Sequence, residues 1–130
     1  MSLSPNVLLV EDDQDVCDAV SEALEDAGFH VNAAANGAVA LSALQSSAEL
    51  PCLVLLDLMM PVMDGEHFLE QARRDPRLSM LPVVLMTADG HATAKATSLG
   101  VLAGFKKPVT LEDLLSAVSK HCVFARGSKP

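Results

Sequence analysis

The sequence predicts an α/β fold: an open, doubly wound sheet of parallel strands with helices on both faces. Two patterns predict it. Several short apolar runs are continuous rather than alternating, as strands covered on both faces require, and segments of helical period separate them, so that each strand, helix and strand can close as a right-handed crossover. A third observation bounds the answer: at 130 residues, half of them apolar, the chain has room for one domain and one core.

Val7 to Val10 is the first apolar run. Val16, Ala19, Val20, Ala23, Leu24 and Ala27 then recur at helical spacing until Gly28, a residue suited to ending a helix. His30 to Ala35 reads as the second strand, and Leu41 with Leu44 marks the second helix. The third strand is Leu53 to Leu56; the third helix carries Phe68, Leu69 and Ala72 and stops before Pro76. Val83 to Met86 is the fourth strand. The fourth helix, Gly90 to Leu99, is closed by Gly100, and its mostly alanine inner face buries little area per turn. Val101 to Phe105 reads as the fifth strand, and Leu111, Leu114, Leu115, Val118 and Cys122 line the last helix, with Thr110 and Asp113 as a capping pair. Residues 6–122 therefore form the domain, with 1–5 a loose N-terminal end and 123–130 a C-terminal tail.

Composition removes several classes of function. A net charge of -8 repels nucleic-acid phosphates and anionic lipid, and no basic run offsets it. With no Trp or Tyr and four Phe, the chain lacks the flat surfaces on which bases or flavin rings stack. No apolar run approaches the ~20 residues of a bilayer span, and the first residues lack the regions of a signal peptide, so the expected location is the cytoplasm. Cys17, Cys52 and Cys122 have no paired spacing; they read as small core residues, with neither a disulfide frame nor a zinc site.

Polar residues sit where the apolar runs stop. The first strand runs into Glu11 and Asp12, the third into Asp57, the fourth into Thr87 and the fifth into Lys107. In open α/β sheets ligands lie beyond the carboxyl ends of the strands, so these groups should meet in one crevice. Three carboxylates at low dielectric repel one another and call for cations. Lys107 is one. Mg²⁺ suits the remainder better than zinc, because only oxygen ligands are offered. A charge-balanced aspartate can attack phosphorus to give an aspartyl phosphate, and Lys107 and the Thr87 hydroxyl could then contact the phosphoryl oxygens, with small Ala88 leaving room.

Val-Glu-Asp at Val10 to Asp12, the stretch Asp57 to Gly65, Thr-Ala at Thr87 and Ala88, and Lys-Pro at Lys107 and Pro108 together resemble the receiver domains of bacterial two-component response regulators, from about Asn6 to about Cys122. The resemblance implies a flavodoxin-like sheet of order 2-1-3-4-5. It implies that Asp57 receives phosphate from a histidine kinase or a histidine phosphotransfer protein and then changes binding to a downstream effector. It also implies that Asp12, Asp57 and the backbone carbonyl of Met59 hold Mg²⁺, with Glu11 assisting, and that the bond before Pro108 is cis. Such a module catalyses its own phosphorylation and dephosphorylation and is not a turnover enzyme. One position departs from the pattern. Receivers usually place Tyr or Phe three residues before the lysine, where its rotamer responds to the threonine; here that position is Gly104. The glycine is expected to widen the groove beside the fifth strand or to loosen the strand, and Phe105 points to the wrong face to substitute.

Other residues keep plainer roles. Asp13 is expected to cap the first helix, Lys106 to face solvent, and Met60 and Met63 to pack. The Met59 side chain should border the acceptor, where an apolar group disfavours the hydrolytic water; Met59→Asn should then hasten dephosphorylation. His30, His67, His91 and His121 lack ligand spacing. Three rival functions are weaker. A phosphatase of the haloacid-dehalogenase type wants an aspartate where Met59 stands. An FMN carrier wants a phosphate-cradling loop where Glu11-Asp12-Asp13 presents anions. The alternative of a phosphate-independent pseudo-receiver, a module that only binds partners, rests on Gly104.

Overall fold

The apolar runs become five parallel strands in the order β2-β1-β3-β4-β5, as the resemblance implies. The structure is a computed structural model and describes residues 3–122 except 61 and 89; the tail 123–130 and the first two residues lie outside the described residues. The elements are β1 (Leu3–Val10), α1 (Gln14–Asp26), β2 (His30–Ala34), α2 (Gly37–Ser46), β3 (Leu50–Asp57), α3 (Gly65–Arg73), β4 (Val83–Thr87), α4 (Ala92–Leu99), β5 (Ala103–Lys106) and α5 (Leu111–His121).

Strand alternation sorts the core into two layers. Leu8, Val10, Val54, Leu56 and Leu85 face α2, α3 and α4, meeting Leu44, Phe68, Leu69 and Ala96. Val7, Leu9, Leu53, Leu55, Val84 and Met86 face α1 and α5, meeting Val20, Leu24, Leu114 and Val118. All eight residues of β3 are buried, which explains its unbroken apolar sequence. Helix starts follow their caps. Asp13 accepts the Asp15 and Val16 N–H groups at α1, Asn36 the Val39 N–H at α2, Asp64 the His67 N–H at α3, and Thr110 the Asp113 N–H at α5.

Strand limits differ from the sequence reading at three places. Strand β1 begins at Leu3, inside the stretch read as a loose end, because Leu3 pairs with Leu50 and Ser4 with Pro51. Strand β3 begins at Leu50 rather than Leu53, and its Pro51 is accommodated next to a register shift between Ser4 and Val7, where β1 carries one extra residue. Strand β5 starts at Ala103 rather than Val101. Gly100, at φ 70°, turns the chain out of α4, and Val101 spends its N–H on the Ala96 carbonyl, 3.0 Å away.

The cysteine reading also needs correction. All three are buried, but Cys52 and Cys122 are joined as a disulfide, with Cα atoms 5.0 Å apart; Cys17 is free. Spacing in the sequence could not show this, since 70 residues separate the pair and only the fold lays the end of α5 beside β3.

Candidate functional site

Four strand ends converge as the topology requires. Strand β1 delivers Glu11, whose N–H bonds the Ala34 carbonyl at 3.0 Å and fixes the turn against β2. Its side chain is drawn inward to 3% exposure, and Oε2 accepts the Asp13 N–H at 3.1 Å. Asp12, one residue on, stays exposed, and one of its carboxylate oxygens still lies within 4.8 Å of oxygens of both Glu11 and Asp57. Asp57 closes β3 at 2% exposure. Its Oδ1 accepts the Met59 N–H at 3.1 Å and its Oδ2 accepts from Lys107 Nζ at 3.1 Å.

Lys107 is aimed by the turn after β5. Its N–H bonds the Thr87 carbonyl at 2.8 Å, and the following bond to Pro108 is cis, as the resemblance implies. The ammonium lies 2.8 Å from Glu11 Oε1 and so touches two buried carboxylates at once. Glu11 Oε1 has this ionic contact but no directional hydrogen bond. Burial pushes the Glu11 carboxyl above the usual carboxylate range; Lys107 and the Asp13 N–H pull it down and the Asp57 charge adds to the rise. Burial acts to lower the Lys107 ammonium, but Glu11 and Asp57 outweigh it and raise the group. Three carboxylates thus face a single ammonium, and the site is short of positive charge.

Thr87 ends β4 at 1% exposure, and Ala88 beside it is exposed. Met59 stands at the rim, 70% exposed, tied to Asp57 through its backbone. Lys106 faces solvent and pairs with Thr87 in the β4–β5 register. Phe105 packs on the α1 and α5 side, so it does not replace the missing aromatic. Among the described residues the histidines join no metal-binding group; the group that could hold a metal is Glu11, Asp12 and Asp57. Its donors are all oxygens, and Glu11 Oε1 is a buried oxygen that lacks a directional partner, so a hard dication fits the set.

Gly104 does not open a groove. The groove beside β5 is closed rather than widened, since a Cβ at this position would lie 2.3 Å from the Ala92 carbonyl oxygen and 3.1 Å from the Ala96 Cβ. Helix α4 occupies the space, and a Gly104→Tyr change would displace it rather than restore a rotating ring.

Sequence reasoning gave no role to several residues that position the elements of the fold. Gly65 lets α3 begin directly against the end of β3: its N–H bonds the Leu58 carbonyl at 3.0 Å, and a Cβ would sit 2.8 Å from the Asp57 carbonyl oxygen. The Asp-Gly pair at Asp64 and Gly65 was the available signal, a cap followed by a residue without a side chain. Arg73 donates to the Leu99 and Gly100 carbonyls at the end of α4, and Arg77 to the Leu44 and Ser47 carbonyls at the end of α2. Backbone acceptors leave no mark in a sequence, so neither arginine stood out.

Comparison with known proteins agrees with this geometry. Residues 7–119 match the response regulator receiver domain family. The response regulator Rre1 of Synechocystis sp. is 46% identical over 86 residues, covering 65% of this chain and 36% of that protein. The response regulator receiver protein CpdR of Brucella abortus is 37% identical over 128 residues, covering 92% of this chain and 98% of that one. Against several other curated relatives the chain spans about half of their length. Among solved structures, the Vibrio cholerae chemotaxis protein CheY4 superposes with a TM-score of 0.79 at 27% identity, covering 92% of this chain and 99% of the other. With the sheet order, the buried Asp57 carboxylate and its lysine contact already in place, the chain belongs to the response regulator receiver domain family.

Proposed function

We propose that this domain is the phosphoacceptor module of a two-component phosphorelay, taking a phosphoryl group onto Asp57 from the phosphohistidine of a histidine kinase or histidine phosphotransfer protein. The observation that carries the reading is the pairing of one half-buried lysine, Lys107, with two buried carboxylates, Glu11 and Asp57, at 2.8 and 3.1 Å. Glu11, Asp12, Asp57 and the Met59 carbonyl would hold Mg²⁺. Bound there, the ion supplies positive charge beside the phosphoryl oxygens and relieves the repulsion among the carboxylates.

The residues of the chain divide the remaining work. An Asp57 carboxylate oxygen forms the bond to phosphorus as the bond from phosphorus to the donor imidazole nitrogen breaks, and the electron pair returns to the ring. Lys107 neutralises charge on the phosphoryl group, the Thr87 hydroxyl donates to one of its oxygens, and Ala88 leaves room for it. Met59, at the rim, limits how water reaches the acyl phosphate. A receiver domain is a signalling module rather than a turnover enzyme, so the product of the reaction is a changed binding surface for a downstream effector. A net charge of -8 disfavours direct binding to nucleic acid. Among the described residues no helix is long and apolar enough to cross a membrane.

The test is labelling with a phosphohistidine donor in the presence of Mg²⁺, followed by intact-mass analysis. One phosphoryl group should be gained by the native chain and none by Asp57→Asn or after chelation. Equal labelling of Asp57→Asn, or labelling that survives chelation, would refute the reading.

A further inference from the structure

Four strands run into residues with evident chemistry. The edge strand β2 ends in Ala34, and the turn that follows it joins two loops of the site. The Ala34 carbonyl, opposite Val10 in the sheet, accepts the Glu11 N–H at 3.0 Å. At the other end of the turn the N–H of Gly37, the first residue of α2, donates to the Met63 carbonyl at 2.9 Å. Glu11 follows β1 and Met63 lies between β3 and α3, so this one turn braces the chain on both sides of the carboxylate group Glu11, Asp12 and Asp57.

The second bond depends on a bare backbone. A Cβ on Gly37 would lie 2.8 Å from the Met63 carbonyl oxygen, 2.9 Å from the Met63 Cγ and 3.1 Å from the Phe68 Cβ. The Met63 side chain is unbranched and can turn aside, but its carbonyl is part of a loop held elsewhere too. The Gly65 N–H closes that loop on the Leu58 carbonyl at 3.0 Å, the Met59 N–H lies 3.1 Å from Asp57 Oδ1, and Val62 takes the left-handed φ of 69°. A loop closed at its base, bent at Val62 and pinned at Met63 has little slack, so a push on the Met63 carbonyl is passed back to Met59.

We propose that Gly37 is a positioning residue for the metal site: by letting the start of α2 lie directly on the Met63 carbonyl, it sets where the loop presents the Met59 carbonyl beside Glu11, Asp12 and Asp57. It acts through the backbone it supports rather than as a ligand, as outer partners of metal-binding groups do. The inference rests on the Mg²⁺ reading above and names what holds that site in shape.

Mg²⁺ titration followed by amide NMR tests it on the native chain, Gly37→Ala and Ala40→Gly. The last change lies one turn along the buried side of α2 and weakens the helix without adding an atom. In the native chain the Asp12, Met59 and Gly37 amides should follow one saturation curve. In Gly37→Ala the Met59 and Met63 amides should be displaced before any Mg²⁺ is added, and the dissociation constant for Mg²⁺ should rise about tenfold or more. Ala40→Gly should lower Tm yet keep that constant within about twofold of the native value, since it leaves the contact on Met63 in place. Should Gly37→Ala fail to fold, Asn36→Ala decides: it removes the side-chain oxygen that accepts the Val39 N–H at 3.0 Å, loosens the same turn without crowding, and should weaken Mg²⁺ binding about threefold. The proposal is overturned if Gly37→Ala, or Asn36→Ala in its stead, binds Mg²⁺ as the native chain does, if Ala40→Gly weakens binding as much, or if the native Gly37 amide stays still while Met59 responds. Silence of Asp12 and Met59 in the native chain instead removes the Mg²⁺ reading, and this inference with it.

Discussion

Reducing the Cys52–Cys122 bond should cost this small domain a large share of its stability. The bond closes a loop with a sequence separation of 70 and ties the last residue of the α5 cap to the start of β3. For a loop of that length the chain-entropy relation gives about 4 kcal/mol at 25 °C, because the cross-link chiefly restricts the unfolded ensemble. At about 4 °C per kcal/mol for a domain of this size, Tm should fall by roughly 16 °C. The comparison is between oxidised and reduced native chain, so both sulfurs stay in the core and no cavity is made. Calorimetry on the two forms measures the shift, and alkylation after denaturation without reductant counts thiols. One alkylated cysteine per chain, Cys17, is the expected count. Three alkylated cysteines, or a Tm difference below about 3 °C, would refute the reasoning.

Other perturbations have directions set by the structure. Arg77→Ala strips the Leu44 and Ser47 carbonyls of a charged donor and should destabilise by about 1–3 kcal/mol in chemical denaturation; Arg77→Lys should recover only part, lacking the two-pronged geometry. Val62 sits at φ 69° and 86% exposed, a left-handed conformation that burdens a β-branched residue, so Val62→Asn should stabilise by about 1 kcal/mol in the same assay. The His67 ring, 2.8 Å from Asp64, is raised above the ordinary histidine value by that carboxylate, whereas burial lowers His121. NMR titration should place them on opposite sides of a free histidine. For His67 the sign follows: its contribution is whole below the unfolded pKa and is lost as pH rises through the folded one, so His67→Gln should flatten that limb of the stability curve.

The sequence made the sheet legible because β3 and β4 are covered on both faces and admit almost nothing polar; each first polar residue therefore announced a strand end. Asp57, Thr87 and Lys107 could be placed together for the same reason. What escaped were relations between distant backbone segments. Gly104 revealed that an aromatic was missing but not that the Ala92 carbonyl fills its place. Cys52 and Cys122 carried no spacing signal, since their meeting depends on how far α5 runs across the sheet. The start of β3 at Leu50 escaped as well, because the register shift in β1 beside Pro51, where a strand proline is tolerated, leaves no mark in the sequence.

The abutment of Gly65 on the Asp57 carbonyl bears on how mutational data for this domain would look. A hydrogen atom is all that fits there, so even alanine would lever α3 away from Asp57. A screen for signalling-dead variants would gather at this glycine as densely as at the carboxylates. The loss would come from crowding, and a sensitive position beside a buried carboxylate is no proof of a chemical role.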